Sequence, residues 1–210
     1  EMFSAMALAP GGEVLLAGAK GVFVVVDDIL VPSPLNAKLG EVAITDMLLA
    51  KDSERPWLWL ATTNGIFRWS EGLLEKVMVS GFSTESARLA WGPPVRHGPG
   101  VWVVAGGDFY ALDSTTSGWR AWEGFRECSP LDVGVNSENG VWLQCQKSLR
   151  YRKADGSWHE VLMDSPVVAL YTHPQSRSSW LVTEDNRIWH AHDDQLWPVE
   201  LELPTGGMAV

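Results

Sequence analysis

One short pattern is written five times along this chain. It runs: an apolar inner strand, a turn, a strand carrying Trp, a turn marked by Gly or Asn, and a strand bearing aromatics. The clearest copy is Trp59-Leu-Ala-Thr-Thr-Asn-Gly-Ile-Phe-Arg-Trp69. The Trp position recurs as Leu15, Trp59, Trp102, Trp142 and Trp180. The hydrophobe that opens the following strand recurs as Val22, Ile66, Phe109, Leu149 and Ile188, at intervals of 44, 43, 40 and 39 residues. A period of this size with several short strands per unit predicts a β-propeller, a radial array of four-stranded blades. The expected fold is therefore all-β, a propeller of five four-stranded blades. The alternative is a five-repeat portion of a larger propeller.

Within the second repeat the strands are expected near 43–49, 57–62, 65–69 and 73–79. Turns at Asp27-Asp28, Ser70-Glu71-Gly72, Ser114–Gly118, Ala154-Asp155-Gly156 and Asp193-Asp194 separate the last two strands of successive repeats, a hairpin signal. Blade boundaries then fall near 1–36, 37–82, 83–126, 127–164 and 165–204, within a single domain. The segment 205–210 reads as a latch against the first blade, closing a five-blade ring, or as the start of a further repeat. An open array would leave a hydrophobic edge, which favours closure. The two prolines at Pro32 and Pro34 suit an edge or loop, and the Pro-rich 93–100 lengthens the first hairpin of the third repeat. No segment shows sustained helical periodicity.

Composition narrows the partners. The net charge of −10 argues against nucleic acid, whose phosphates are bound by Lys and Arg, and against anionic membrane surfaces. No apolar run approaches the ~18 residues of a spanning helix, so direct membrane insertion is not expected. The chain begins at Glu1, as expected for a mature N-terminus or a cut. Cys128 and Cys145 are the only cysteines. The hairpin register set by Ser137-Glu138-Asn139-Gly140 places Cys145 nearer Asp132, and a bond would require Ser129-Pro130 to fold back. The expectation is two unrelated thiols.

Ten of the twelve tryptophans divide by position. Trp59, Trp102, Trp142 and Trp180 hold one place in the repeat, and a repeated position has a repeated cause, packing between blades. Trp119, Trp158 and Trp197 open the outer strands and read the same way. Trp57, Trp91 and Trp122 break the pattern and are the functional candidates among them.

Inner strands line the channel of a propeller. Aligned by apolar residues they read Ala5-Met-Ala-Leu, Asp46-Met-Leu-Leu, Arg88-Leu-Ala-Trp, Asp132-Val-Gly-Val and Val168-Ala-Leu-Tyr. The first column is Ala5, Asp46, Arg88, Asp132 and Val168, which brings two carboxylates and an arginine to one mouth of the channel. Paired carboxylates could act as acid and base on a glycoside, and an Arg–Asp cluster could grip a polar ligand. The plainer reading is that Arg88 neutralises the two acids, because buried charges need partners. Around the same mouth the turns offer Lys20, Asn64, Asp108, Lys147, Asp185, Asn186 and Arg187, with Arg126 and Glu127 from a link between repeats. Binding surfaces belong on loops held by a rigid scaffold. His190-Ala-His192-Asp193-Asp194 has metal-like spacing but falls on a recurrent turn where Asp is favoured. No nucleophile elbow, phosphate loop, zinc or calcium motif is present, so no cofactor or metal is expected.

The Trp59–Trp69 segment resembles the repeat of the two-component-regulator propeller family, which runs Trp-Ile-Gly-Thr, two variable residues, then Gly-Leu-Tyr-Arg-Tyr. Here Leu60 replaces Ile, Ala61 replaces Gly, Ile66 replaces Leu and Phe67 replaces Tyr. The third repeat keeps Trp102 and Gly106, the fourth Trp142 and Tyr151, and the fifth Trp180. The resemblance implies an extracytoplasmic ligand-sensing or protein-interaction module. The expected function is accordingly a non-enzymatic recognition module within a larger polypeptide or complex. Its partner would be a protein, or a small polar or carbohydrate ligand. The alternative is a small glycoside hydrolase or lyase working through Asp46 and Asp132.

Overall fold

The computed structural model describes residues 3–51, 56–77, 86–92, 100–113, 118–121, 128–135, 140–145, 148–153, 155–173, 176, 178–192 and 195–200. They form five antiparallel four-stranded sheets, each built from consecutive strands. Blade 1 holds β1 (Phe3–Leu8), β2 (Val14–Gly18), β3 (Gly21–Val26) and β4 (Ile29–Pro32). A single helical turn, α1 (Asn36–Leu39), follows in the link read as irregular, where Leu35 and Leu39 pin it against the first inter-blade core. Blade 2 holds β5 (Ile44–Lys51), β6 (Pro56–Thr62), β7 (Gly65–Ser70) and β8 (Leu73–Val77). Blade 3 holds β9 (Arg88–Gly92), β10 (Gly100–Ala105), β11 (Asp108–Asp113) and β12 (Gly118–Ala121). Blade 4 holds β13 (Pro130–Val135), β14 (Val141–Cys145), β15 (Leu149–Arg152) and β16 (Trp158–Val161). Blade 5 holds β17 (Val167–Thr172), β18 (Ser179–Thr183), β19 (Ile188–His192) and β20 (Gln195–Val199). The tail 205–210 lies outside the described residues.

The turns follow the sequence chemistry. Asp27 and Asp28 both take positive φ, at 48° and 61°, and so do Glu71 and Gly72, at 47° and 82°. Two successive positive φ values make the tight turn whose twist matches its strands. Pro32 ends an outer strand, the edge place the sequence allots it.

Each blade has two faces, and one rule governs them. The face towards the next blade carries the Trp column and the hydrophobe opening the third strand. In blade 2, Trp59 and Ile66 pack on Leu89, Val101 and Val103 of blade 3. In blade 3, Trp102 and Phe109 pack on Val133, Val141 and Leu143 of blade 4. In blade 4, Trp142 and Leu149 pack on Leu170 and Leu181 of blade 5. Blade 1 does the same with smaller side chains, setting Leu15, Ala17 and Val22 against Leu58 and Leu60. Trp59, Trp102 and Trp142 are therefore fully buried structural residues. Trp57 and Trp91, singled out above as functional candidates, also belong to the blade 2–blade 3 core. Arg68 covers the Trp57 ring at 4.5 Å. Both are packing residues, and Trp122 lies outside the described residues. Trp158 packs edge-on against Phe109, with ring centroids 5.9 Å apart.

Hydrogen bonds stitch the inner strands together. Four of them carry a bulge near their start, opposite the end of the second strand. The bulged hydroxyls reach the next blade: Ser4 Oγ donates to the Ile44 carbonyl at 2.5 Å and Thr45 Oγ1 to the Ala87 carbonyl at 3.2 Å. Between blades 4 and 5, Gln144 Nε2 donates to the Val167 carbonyl at 2.7 Å. The strands sit close enough that a Cβ at Gly134 would run into Thr172 Oγ1 and Leu170 of blade 5. A residue without a Cβ suits this close approach.

Two expectations need correction. Cys128 and Cys145 form a disulfide, with Cα atoms 5.0 Å apart. The bulge between Pro130 and Asp132 shifts the register so that Cys145 faces Pro130. Ser129, at φ 48°, folds the chain back over the pair. The inner strand of blade 5 is also displaced by one residue. Ala169, not Val168, pairs with Val182 in the place that Asp46 holds against Ala61. Val168 is the extra residue of the bulge, the counterpart of Thr45 and Leu131 in blades 2 and 4, and the apolar alignment puts this bulge residue in the column.

Trp59→Ala should cost about 3–5 kcal/mol in urea unfolding, whereas Trp180→Ala, already 36% exposed, should cost under about 2 kcal/mol. Equal losses would contradict the packing rule. Reducing the Cys128–Cys145 bond, which spans 17 residues, should lower stability by about 2–4 kcal/mol, read as a drop in the denaturation midpoint with dithiothreitol. An unchanged midpoint would contradict it.

Candidate functional site

The column Ala5, Asp46, Arg88, Asp132 and Ala169 lies on the same face of successive blades, near the start of each inner strand. Bulged pairing sets this place: Ala5 faces Ala17, Asp46 faces Ala61, Arg88 faces Val104, Asp132 faces Gln144 and Ala169 faces Val182. Three consecutive blades thus present acid, base and acid at one end of the blade array, flanked by alanines. All three side chains are half-buried.

Asp46 is built into the scaffold. Its Oδ1 accepts from Met47 N–H at 2.8 Å. Its Oδ2 accepts from Leu89 N–H, in the next blade, at 2.8 Å. Arg88 makes the reciprocal link, donating from Nη1 to the Thr45 carbonyl at 2.6 Å. Asp46 and Arg88 therefore cross-tie blades 2 and 3. Asp132 is bound more lightly: its Oδ1 accepts from Val133 N–H at 2.8 Å.

Burial dominates the electrostatics. Loss of water pushes the Asp46 carboxyl up to about 6, although the Leu89 and Met47 N–H groups and then Arg88 pull it down. Asp132 is pushed up to about 7, by burial and by the nearby Asp46 charge, against the Val133 N–H and Arg88. One cation does not offset the burial of both acids, and near neutral pH the Asp132 carboxyl is part-protonated. The neutralising role expected of Arg88 is met only in part.

The other mouth residues sit where the sequence places them, on turns between second and third strands. Lys20 lies between β2 and β3, and Asn64 between β6 and β7, its N–H bound to Thr62 Oγ1 at 3.0 Å. Asp108 opens β11 and accepts from Tyr110 O–H at 3.4 Å. Asp185 accepts from Thr183 Oγ1 at 2.6 Å and pairs with Arg187 Nε at 3.1 Å, so the hydroxyl first and then the guanidinium hold its carboxyl below the usual range. These residues lie at the same end of the blades as the three-residue cluster and are exposed. Arg126, Glu127 and Lys147 lie outside the described residues. His190 and His192 stack with ring centroids 6.4 Å apart on the free face of blade 5. Asp193 and Asp194, the rest of that motif, lie outside the described residues. Among the described residues no group of three metal-ligating side chains gathers.

Sequence reasoning found the charged column but missed the Asp46–Leu89 and Arg88–Thr45 cross-ties. Both run to backbone atoms of a neighbouring blade, which leave no mark in a sequence.

No protein-family model and no curated protein matches the chain. Solved structures do. Virginiamycin B lyase from Staphylococcus aureus superimposes with a TM-score of 0.67 at 14% identity, over 96% of this chain and 71% of its own. The extracellular domain of a putative hybrid two-component system from B. thetaiotaomicron gives 0.68 at 13%, over 94% of this chain and 28% of its own. BBS1N, solved in complex with ARL6DN, gives 0.65 at 14%, over 90% and 64%. At such identities the likeness is one of fold, and it places the five sheets among β-propellers.

The raised carboxyls give a signed prediction. In the folded state Asp132 holds its proton to about pH 7, whereas the unfolded chain releases it near pH 4. Between those values the folded state binds more protons, so stability falls as pH rises. Asp132→Asn should leave stability near unchanged at pH 4 and raise it by about 1–3 kcal/mol at pH 8. Denaturation at both pH values checks this, and a loss at pH 8 would contradict it.

Proposed function

We propose that this protein is a non-enzymatic recognition module, a propeller that presents the mouth where its inner strands begin to a polar ligand or protein segment. The observation that carries the reading is the engagement of Asp46. Both of its oxygens already accept backbone N–H groups, one of them across a blade boundary. A carboxylate committed in this way is poorly placed to serve as nucleophile or mobile base. Asp132, with a single backbone donor, and Arg88 are the residues of the cluster offered to a ligand. Asn64, Asp108, Asp185 and Arg187 would form the exposed rim, with Arg126 and Lys147 from neighbouring loops. Similarity to a sensor's extracellular domain and to a propeller crystallised with a protein partner supports the same reading. So does the family resemblance of the repeat, which would place the module outside the cytoplasm.

One observation favours a second reading, a lyase or glycoside hydrolase. The Asp132 carboxyl titrates near neutrality, where a general acid or base is most effective, and a lyase shares the fold.

Thermal-shift screening of glycans, streptogramins and charged peptides separates the two. The recognition reading expects a ligand that raises the melting temperature of the parent without being consumed, with the shift lost in Asp132→Asn and Arg88→Ala. Turnover by the parent that Asp46→Asn and Asp132→Asn abolish would overturn it.

A further inference from the structure

The packing rule of the blades has two exceptions, at the two ends of the array. In blades 2, 3 and 4 the Trp column is at most 3% exposed, because the next blade covers it. In blade 5 the same face carries Tyr171, Trp180, His190 and Trp197 in one cross-strand row. Tyr171 is 57% and Trp180 36% exposed. On the opposite face, the aliphatic pair that receives the neighbour is Leu58 and Leu60 in blade 2, set against Leu15, and Val101 and Val103 in blade 3, set against Trp59, all sealed. In blade 1 the corresponding pair is Val14 and Leu16. Val14 is exposed, and so are Met6, Leu8 and Leu30 along the same two cross-strand rows.

A five-blade ring closed on itself would press these two faces together and bury both. Inner strands of successive blades pack side by side, β1 on β5, β5 on β9, β9 on β13 and β13 on β17, but β17 and β1 make no comparable contact among the described residues. The comparison with a solved propeller agrees. The five blades superimpose on 71% of a lyase chain, which scales to about seven blades in the full circle.

We propose that the five blades form an open arc, and that its two end faces are docking surfaces for a pair of further blades. The faces state what the pair must carry. The blade against Trp180 needs an aliphatic pair like Val101 and Val103, which receive Trp59, and the blade against Val14 needs a Trp column of its own. The ten residues 201–210 are too few, since two blades at this repeat length need about eighty. A second copy also fails to fit. It would bring five blades to a two-blade gap, or join end to end without closing, which makes a filament.

The test begins with the protein as it stands. Spin labels at Val14→Cys and Trp180→Cys report the gap by pulsed electron resonance. Packed sheets lie about 10 Å apart, so an arc lacking two blades puts the labels about 30 Å apart and a closed five-blade ring about 10 Å apart. In a second protein, a copy of residues 41–126 is appended, supplying the faces of blades 2 and 3. The proposal expects amide exchange in β1–β4 and β17–β20 to slow at least tenfold and Trp180 emission to shift to the blue. A label distance near 10 Å in the parent overturns the proposal. So does a stable dimer of the parent in which Trp180 is buried, or unchanged end-blade exchange in an appended chain that folds.

Discussion

Everything in this structure hangs on one contact: the Trp-bearing face of each blade pressed against the aliphatic pair of the next. A four-stranded sheet with both faces apolar cannot persist alone in water. Each blade therefore owes its stability to its neighbours, as in other repeat arrays. The contact also explains the repetition of the sequence. Trp59, Trp102 and Trp142 recur because the same cavity recurs, and the small residues Ala90 and Gly134 pair with Trp102 and Trp142.

That contact decides where chemistry can sit. With both faces of an interior blade committed to packing, polar side chains are left to the turns and to the starts of the inner strands. Asp46, Arg88 and Asp132 occupy the same place in three successive blades, at the boundary between the apolar interfaces and the mouth. Their electrostatics follow from that boundary. Burial raises both acids, while backbone N–H groups and the guanidinium hold them back. The result is a cluster of raised carboxyls whose first duty, through Asp46 and Leu89, is to tie two blades together.

The architecture was legible because it is periodic. Forty-odd residues between equivalent hydrophobes, with turn residues at fixed offsets, leave little but a propeller, and five four-stranded sheets are what the chain forms. The charged column was legible for the same reason. What escaped were the aperiodic details. Val168 is the bulge residue that Thr45 is in blade 2, so Ala169 holds the column in blade 5. The bulge at Leu131, with the positive φ of Ser129, joined Cys128 to Cys145. A bulge adds one residue without changing composition, so a pattern of period two reads through it and emerges out of step. Trp57 and Trp91 were misread because a residue outside the repeat can still find the same core.

Native-state hydrogen exchange, resolved by strand, tests the dependence of each blade on its neighbours most directly. If inter-blade packing is what holds the sheets, protection is highest in β6, β10 and β14, which are covered on both faces, and falls towards blades 1 and 5, which open first. Uniform protection across all five blades, or end blades as slow to exchange as blade 3, would contradict the account.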